Sequence, residues 1–380
     1  MEQGTSGFED LVAPSIRAML ANQRPNGALV ASPDFAQYQY CWLRDGSFVA
    51  YAFDRAGEHE ASDRFHRWCA SSIDHIAPLM EAALERVQLG KPVDPNEMPP
   101  ARFSVEGLVV KDDWPNFQID GYGTWLWSLH EHLQRSGAHL LPERLVGAVE
   151  RVGRYLAEIG TVPCFDVWEE NGGSVHTATL GCVYAGLVAA SVMLGDQELR
   201  ERADAVRSDV LERARNEGRF EKSNTDRQVD AALLWLSEPF GLCDPHEPAF
   251  VETARVVGAE LDLDGGIRRY PADTYYGGGA WPVLTASLGW YRASVGELEE
   301  ARRRRDWIAE RFDAEGRLGE QFGGERRDPG KYAEWVRRWG SPARDLVWSH
   351  AMYVVLCDEL ETISRSAPAE VESTVPDLET

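Results

Sequence analysis

The chain has 380 residues, 43% of them apolar, enough to bury one large core or two ordinary ones. A formal net charge of −23 excludes electrostatic binding to nucleic acid or to an anionic membrane face, so a neutral, small-molecule partner fits better. Six scattered cysteines, Cys41, Cys69, Cys164, Cys182, Cys243 and Cys357, form no C-x-x-C pair and read as reduced thiols.

Apolar residues recur at helical spacing through most of the chain. They predict helices over about 8–21, 43–57, 58–89, 118–137, 140–159, 174–194, 197–216, 226–238, 246–259, 280–294, 296–312 and 344–364. The opening MEQGTSGFEDLV has no basic stretch leading into an apolar one, and no run of about 18 apolar residues follows, so a soluble cytoplasmic protein is expected. Within the fourth segment His130 and His132 stand two apart, on different sides of a helix and with no evident third ligand. Neither a metal nor another cofactor is expected. Taken pairwise, the segments make helical hairpins that cannot bury their apolar stripes alone. That implies an all-α domain over 1–365, closed into a ring with inner and outer helical layers. The acidic SAPAEVESTVPDLET, 366–380, is expected to be a disordered tail.

Connections leading into the even-numbered segments are long and rich in glycine and aromatic residues. If those segments form the inner ring, their loops gather at one end, around one pocket. The first brings Trp42, Arg44 and Asp45, a guanidinium and a carboxylate able to grip vicinal hydroxyls, although Asp45 serves equally well as a helix cap. The next, Trp114 to Gly123, mixes aromatic faces with the carboxylate of Asp120, as sugar binding requires, while core packing explains the same rings. In FDVWEENGG, Glu169 and Glu170 follow the indole of Trp168. An apolar wall and a neighbouring carboxylate would both raise the Glu169 pKa, as a proton donor needs, and a helix N-terminal dipole would account for the pair without any catalysis. Arg269, Asp273, Tyr275 and Trp281 lie in RRYPADTYYGGGAW, which lacks the G-K-[ST] of a phosphate loop. The fifth group is LGEQF, with the lone Glu320.

Together YCWLRDGS, FDVWEENGG, RRYPADTYYGGGAW, LGEQF and DLVWSHA resemble, in order and spacing, glycoside hydrolase family 15, the glucoamylase family. The resemblance implies an (α/α)6 barrel and an inverting, exo-acting α-glucosidase with Glu169 as general acid and Glu320 as general base. Trp42, Arg44, Asp45, Asp120, Trp168, Glu170, Arg269, Asp273, Tyr275 and Trp281 would bind an oligosaccharide substrate, with no metal or cofactor. Inversion requires the two carboxyls roughly 6.5–9.5 Å apart. Single-domain relatives that cleave α-1,6 links are similar in architecture, which favours isomaltose slightly over maltose. Trehalose hydrolysis is the alternative within the family, and a noncatalytic glucan-binding domain the alternative outside enzymes.

Overall fold

The computed structural model describes residues 11–91, 94–138 and 140–366. Its helices are α1 (Val12–Ala21), α2 (Leu43–Arg55), α3 (His59–His75), α4 (Ala77–Gln88), α5 (Asp120–Arg135), α6 (Glu143–Ile159), α7 (Thr177–Leu194), α8 (Gln197–Glu217), α9 (Pro248–Glu260), α10 (Pro282–Ser294), α11 (Leu298–Ala309), α12 (Gly324–Arg327), α13 (Pro329–Trp339) and α14 (Val347–Ser366). Two short antiparallel ribbons accompany them. β1 (Cys41–Trp42) pairs with β2 (Arg102–Phe103), and β3 (Asp262–Leu263) with β4 (Gly266–Ile267).

Side-chain distribution sorts the helices into two layers. In α2 every residue from Leu43 to Asp54 is buried, and α7 is apolar on all sides, as expected of helices covered front and back. By length and apolarity α7 would also cross a membrane, contrary to the expectation that no such run exists; most of it is buried inside the ring instead. In contrast, α8 buries one stripe, Leu199, Ala203, Val210, Leu211 and Ala214. Asp196 caps its start by accepting from the Glu198 and Leu199 amides, and Gly218 ends it in a left-handed conformation, φ 79°.

The inner ring runs α2, α5, α7, a 3-10 turn (Ala231–Leu236), α10 and α14, each packed on the next, with α14 returning to α2. At the α5–α7 crossing a Cβ on Gly186 would lie 2.6 Å from the Gly123 Cα, so glycine lets the two backbones touch. Outside stand α1 on α14, α3 on α2, α6 and α8 on α7, α9 on the 3-10 turn and α11 on α10. This is the (α/α)6 barrel.

Aromatic rings fill the barrel axis. Phe48 lies 5.3 Å from Trp348, 5.6 Å from Trp235 and 5.7 Å from Trp127 between ring centroids, and all are buried. Rings of this size remove about 150–250 Å² each from water, which closes the centre tightly.

Three segments differ from the sequence expectation. The long one at 58–89 divides at Ile76 into α3 and α4, with Pro78 in the first turn of the second. At 226–238 only the 3-10 turn forms: its six residues are all apolar and buried, with no polar face to define an α-helical stripe, and Pro239 follows. Within the presumed loop 313–343, α12 and α13 appear. The first residues of 8–21, and the tail beyond residue 366, lie outside the described residues.

Candidate active site

The inner helices run parallel, so the loops before them reach the same end of the barrel. There they enclose a cavity of about 330 Å³, within the ordinary range for small-ligand sites, about 300–1,000 Å³. Trp348, in the first turn of α14, lines it and rests on Phe48, so the aromatic axis is its floor.

One wall is the tight turn before α7. The Asp166 carboxylate accepts from the Trp168 and Glu170 amides at 3.0 and 2.9 Å, and its backbone carbonyl accepts from the Glu169 amide at 2.8 Å. The turn forces Glu169 to φ 68°, a left-handed conformation that costs a β-carbon residue about 1–3 kcal/mol and persists only where its surroundings impose it. Buried Lys222 supplies that surrounding, lying 2.9 Å from Asp230 and 3.5 Å from Asp166, while Asp230 accepts the Trp168 indole N–H at 2.9 Å. Glu169 Oε1 accepts from the Trp42 indole at 2.7 Å. Burial raises the Glu169 pKa, against the lowering influence of Arg44 and the indole donor.

Glu320, from the loop before α12, lines the same cavity and is 1% exposed. The Tyr38 hydroxyl donates to its Oε1 at 2.8 Å and lies 2.9 Å from the Tyr275 hydroxyl, while Oε2 has no hydrogen-bond partner among the described residues. Burial pushes this carboxyl up to about 8, against the opposing hydrogen bond from Tyr38. The rings that hold the two carboxyls, Tyr38 and Trp42, touch edge to face at 5.7 Å.

Between them lie two anchored cations. Arg44 donates to Asp120 at 2.9 Å and Gln118 at 3.1 Å, with its Nε 3.3 Å from Asp45, whose carboxyl burial raises to about 6. Arg269 is clamped by Asp273 through two bonds, 3.0 and 2.6 Å, and reaches Glu170 at 3.3 Å; Tyr270 also donates to Glu170. Trp168, Tyr275 and Trp281 surround its guanidinium at 5.5, 5.1 and 5.6 Å, an orientation attractive to the ring faces.

Two carboxyls with separate environments, two fixed guanidinium groups and a rim of indoles suit a neutral polyhydroxylated ligand. Residues 8–323 match the sequence profile of Glycosyl hydrolases family 15. The chain belongs to that family. It is similar to an isomaltose glucohydrolase from Kribbella flavida, 37% identical over 367 residues and 95% of both chains. Trehalase 2 of Sulfolobus acidocaldarius is 24% identical over 318 residues, 76% of this chain and 53% of that one. A solved glycosidase in complex with glucose aligns at TM-score 0.89 and 36% identity over 94% of this chain and 99% of that one. Glucoamylase from Saccharomycopsis fibuligera shares the fold, with TM-score 0.71 at 14% identity over 95% and 96%. This family 15 member is therefore a glycosidase.

Of the residues singled out in the sequence, Trp42, Arg44, Asp45, Trp168, Glu169, Glu170, Arg269, Tyr275, Trp281 and Glu320 line the cavity. Asp120 and Asp273 do not. Both are fully buried: Asp120 Oδ2 accepts from Arg44 and both Asp273 oxygens accept from Arg269, so each holds a cavity-lining guanidinium in place. Sequence reasoning missed Tyr38 and the α13 side chains Trp335, Arg338 and Trp339, which form the rim. Trp339 stacks on Trp114 at 5.7 Å and 22°, and Trp335 meets Tyr275 at 4.9 Å. Beneath Trp114, buried Arg102 is sandwiched between the Tyr40 and Trp114 rings at 4.4 and 4.2 Å, which steadies that wall.

Proposed function

We propose that this glycosidase is an inverting, exo-acting α-glucosidase that releases β-glucose from the non-reducing ends of short α-glucosides, with α-1,6 links preferred. The observation that carries the reading is one floored pocket onto which Glu169 and Glu320 open from loops far apart in the chain. Glu169, whose pKa burial raises, protonates the departing glycosidic oxygen. Glu320 takes a proton from the attacking water through Oε2, the oxygen that Tyr38 leaves free. Arg44, Asp45 and Arg269 hold hydroxyls of the terminal sugar, and the indoles pack against its C–H faces. Because the floor is closed, only a chain end fits. The preference for α-1,6 rests on the likeness to isomaltose glucohydrolase along nearly the full length of both chains.

Incubation with maltose, isomaltose, panose, trehalose and a longer maltodextrin, following the anomer of released glucose, tests substrate and stereochemistry together. Initial β-glucose, fastest from isomaltose, is expected. Initial α-glucose overturns inversion, and release from trehalose alone makes the chain a trehalase.

The pH profile provides a separate check. As the base, Glu320 acts in its ionised form, and its carboxyl is pushed up to about 8. Glu169 must keep its proton while Glu320 has lost its own, so kcat/KM is expected to follow a bell in pH, with one limb near about pH 8 and both limbs above the ordinary glutamate value near about 4.3. Rates measured well below saturation decide it, and a limb at the ordinary value would show that one of the two carboxyls is not raised.

A further inference from the structure

At the end of the barrel away from the pocket, the last turns of α2 and α5 meet α3. Asp54 from α2, His132 from α5 and His66 from α3 bring carboxylate oxygens and imidazole nitrogens within 4.8 Å of one another, and all three are buried. His132 Nδ1 lies 2.9 and 3.1 Å from the Asp54 oxygens. His66 is fully enclosed at 0% exposure, yet neither of its ring nitrogens has a hydrogen-bond partner among the described residues. Buried imidazoles nearly always satisfy at least one nitrogen, so a lone pair facing a carboxylate and a second imidazole needs a reason.

We propose that Asp54, His66 and His132 form a binding site for a divalent transition metal, with zinc the best chemical match. Zinc takes imidazole nitrogen and carboxylate oxygen at about 2.0–2.2 Å in tetrahedral geometry. Closing the three donors onto one ion needs side-chain shifts of about 1 Å from the separations present. Calcium and magnesium prefer six or more oxygen ligands, which this set does not offer. One carboxylate with two neutral imidazoles leaves a single positive charge on the complex, and the C-terminal carbonyl ends of α2 and α5 offset it. Two outer groups already fix the carboxylate: the Ser62 hydroxyl donates to Asp54 Oδ2 at 2.7 Å, and His59 Nδ1 lies 2.8 Å from Oδ1. His59 is 39% exposed, giving the ion a way in from solvent. None of these residues lines the glycosidase pocket, so the ion acts as a clasp across three helices, remote from the chemistry. His132 is one of the two histidines of the HEH sequence, but its companions come from other helices, and His130 is not among them.

The test uses the full chain, stripped with a chelator, loaded with zinc chloride or cobalt chloride, and desalted. Retention of one metal per chain by elemental analysis, a tetrahedral cobalt absorption band and a raised Tm are expected, and all three should vanish in His66→Gln. Folded wild-type protein that retains no stoichiometric metal overturns the proposal, as does a folded His66→Gln variant that binds as well as wild type. If that variant does not fold, anomalous scattering from zinc-soaked wild-type crystals decides: a peak among Asp54, His66 and His132 supports the site, and a peak elsewhere refutes it.

Discussion

Glu169→Gln is expected to lower kcat on isomaltose by about 10²–10⁴-fold, the contribution typical of a positioned proton donor. Gln retains the side-chain volume and can still accept from the Trp42 indole, so the turn held by Asp166 and Lys222 should survive. What disappears is the proton. Activity on α-glucosyl fluoride, whose leaving group departs without protonation, should therefore fall far less than activity on isomaltose. Equal losses on both substrates would show that Glu169 does something other than donate a proton.

Glu320→Gln should lose a similar factor on both substrates, because water still has to be deprotonated whichever group departs. The same substitution is expected to stabilise the fold at alkaline pH. The folded state holds the Glu320 proton more tightly than the unfolded chain does, with the carboxyl moved from 4.5 to about 8. The unfolded state therefore sheds that proton first, and stability drains away as pH rises between those values. Gln carries no such charge and can still accept from the Tyr38 hydroxyl. At pH 9 the variant should melt above the wild type, by on the order of a few kcal/mol, and the two should converge near pH 4. An inactive variant with an unchanged melting profile would mean that the side chain is better solvated than its burial implies.

Most of this site was legible in the sequence because its chemistry is concentrated in short runs. YCWLRDGS, FDVWEENGG and LGEQF each place charge beside an aromatic or apolar residue, and all three reach the cavity. What could not be read is which carboxylates face inward. Asp120 and Asp273 resemble ligand-binding groups in one dimension, and only the fold shows each of them occupied by an arginine. The fold itself was readable wherever an apolar stripe persisted. The structure departs from that pattern at Ala231–Leu236, where uniform burial erases the stripe, and at α13, where the sequence predicts a loop. For α13 a signal existed: Tyr332, Trp335, Val336 and Trp339 recur at helical spacing. Gly-rich and charged flanks hid it, and none of the helix residues is fully buried. The Asp54, His66 and His132 cluster was invisible for a different reason, since three separate helices contribute one residue each.

The plug of Phe48, Trp235 and Trp348 on the barrel axis also governs how turnover can proceed. A dead end beneath the reacting sugar leaves a single doorway for arrival and departure. Under the proposed exo mode, the freed monosaccharide would lie below the shortened remainder, which would have to withdraw before the monosaccharide could escape. Sliding along a chain for successive cuts would then be impossible: every cleavage would be a separate visit, and long substrates would gain nothing from having been bound once.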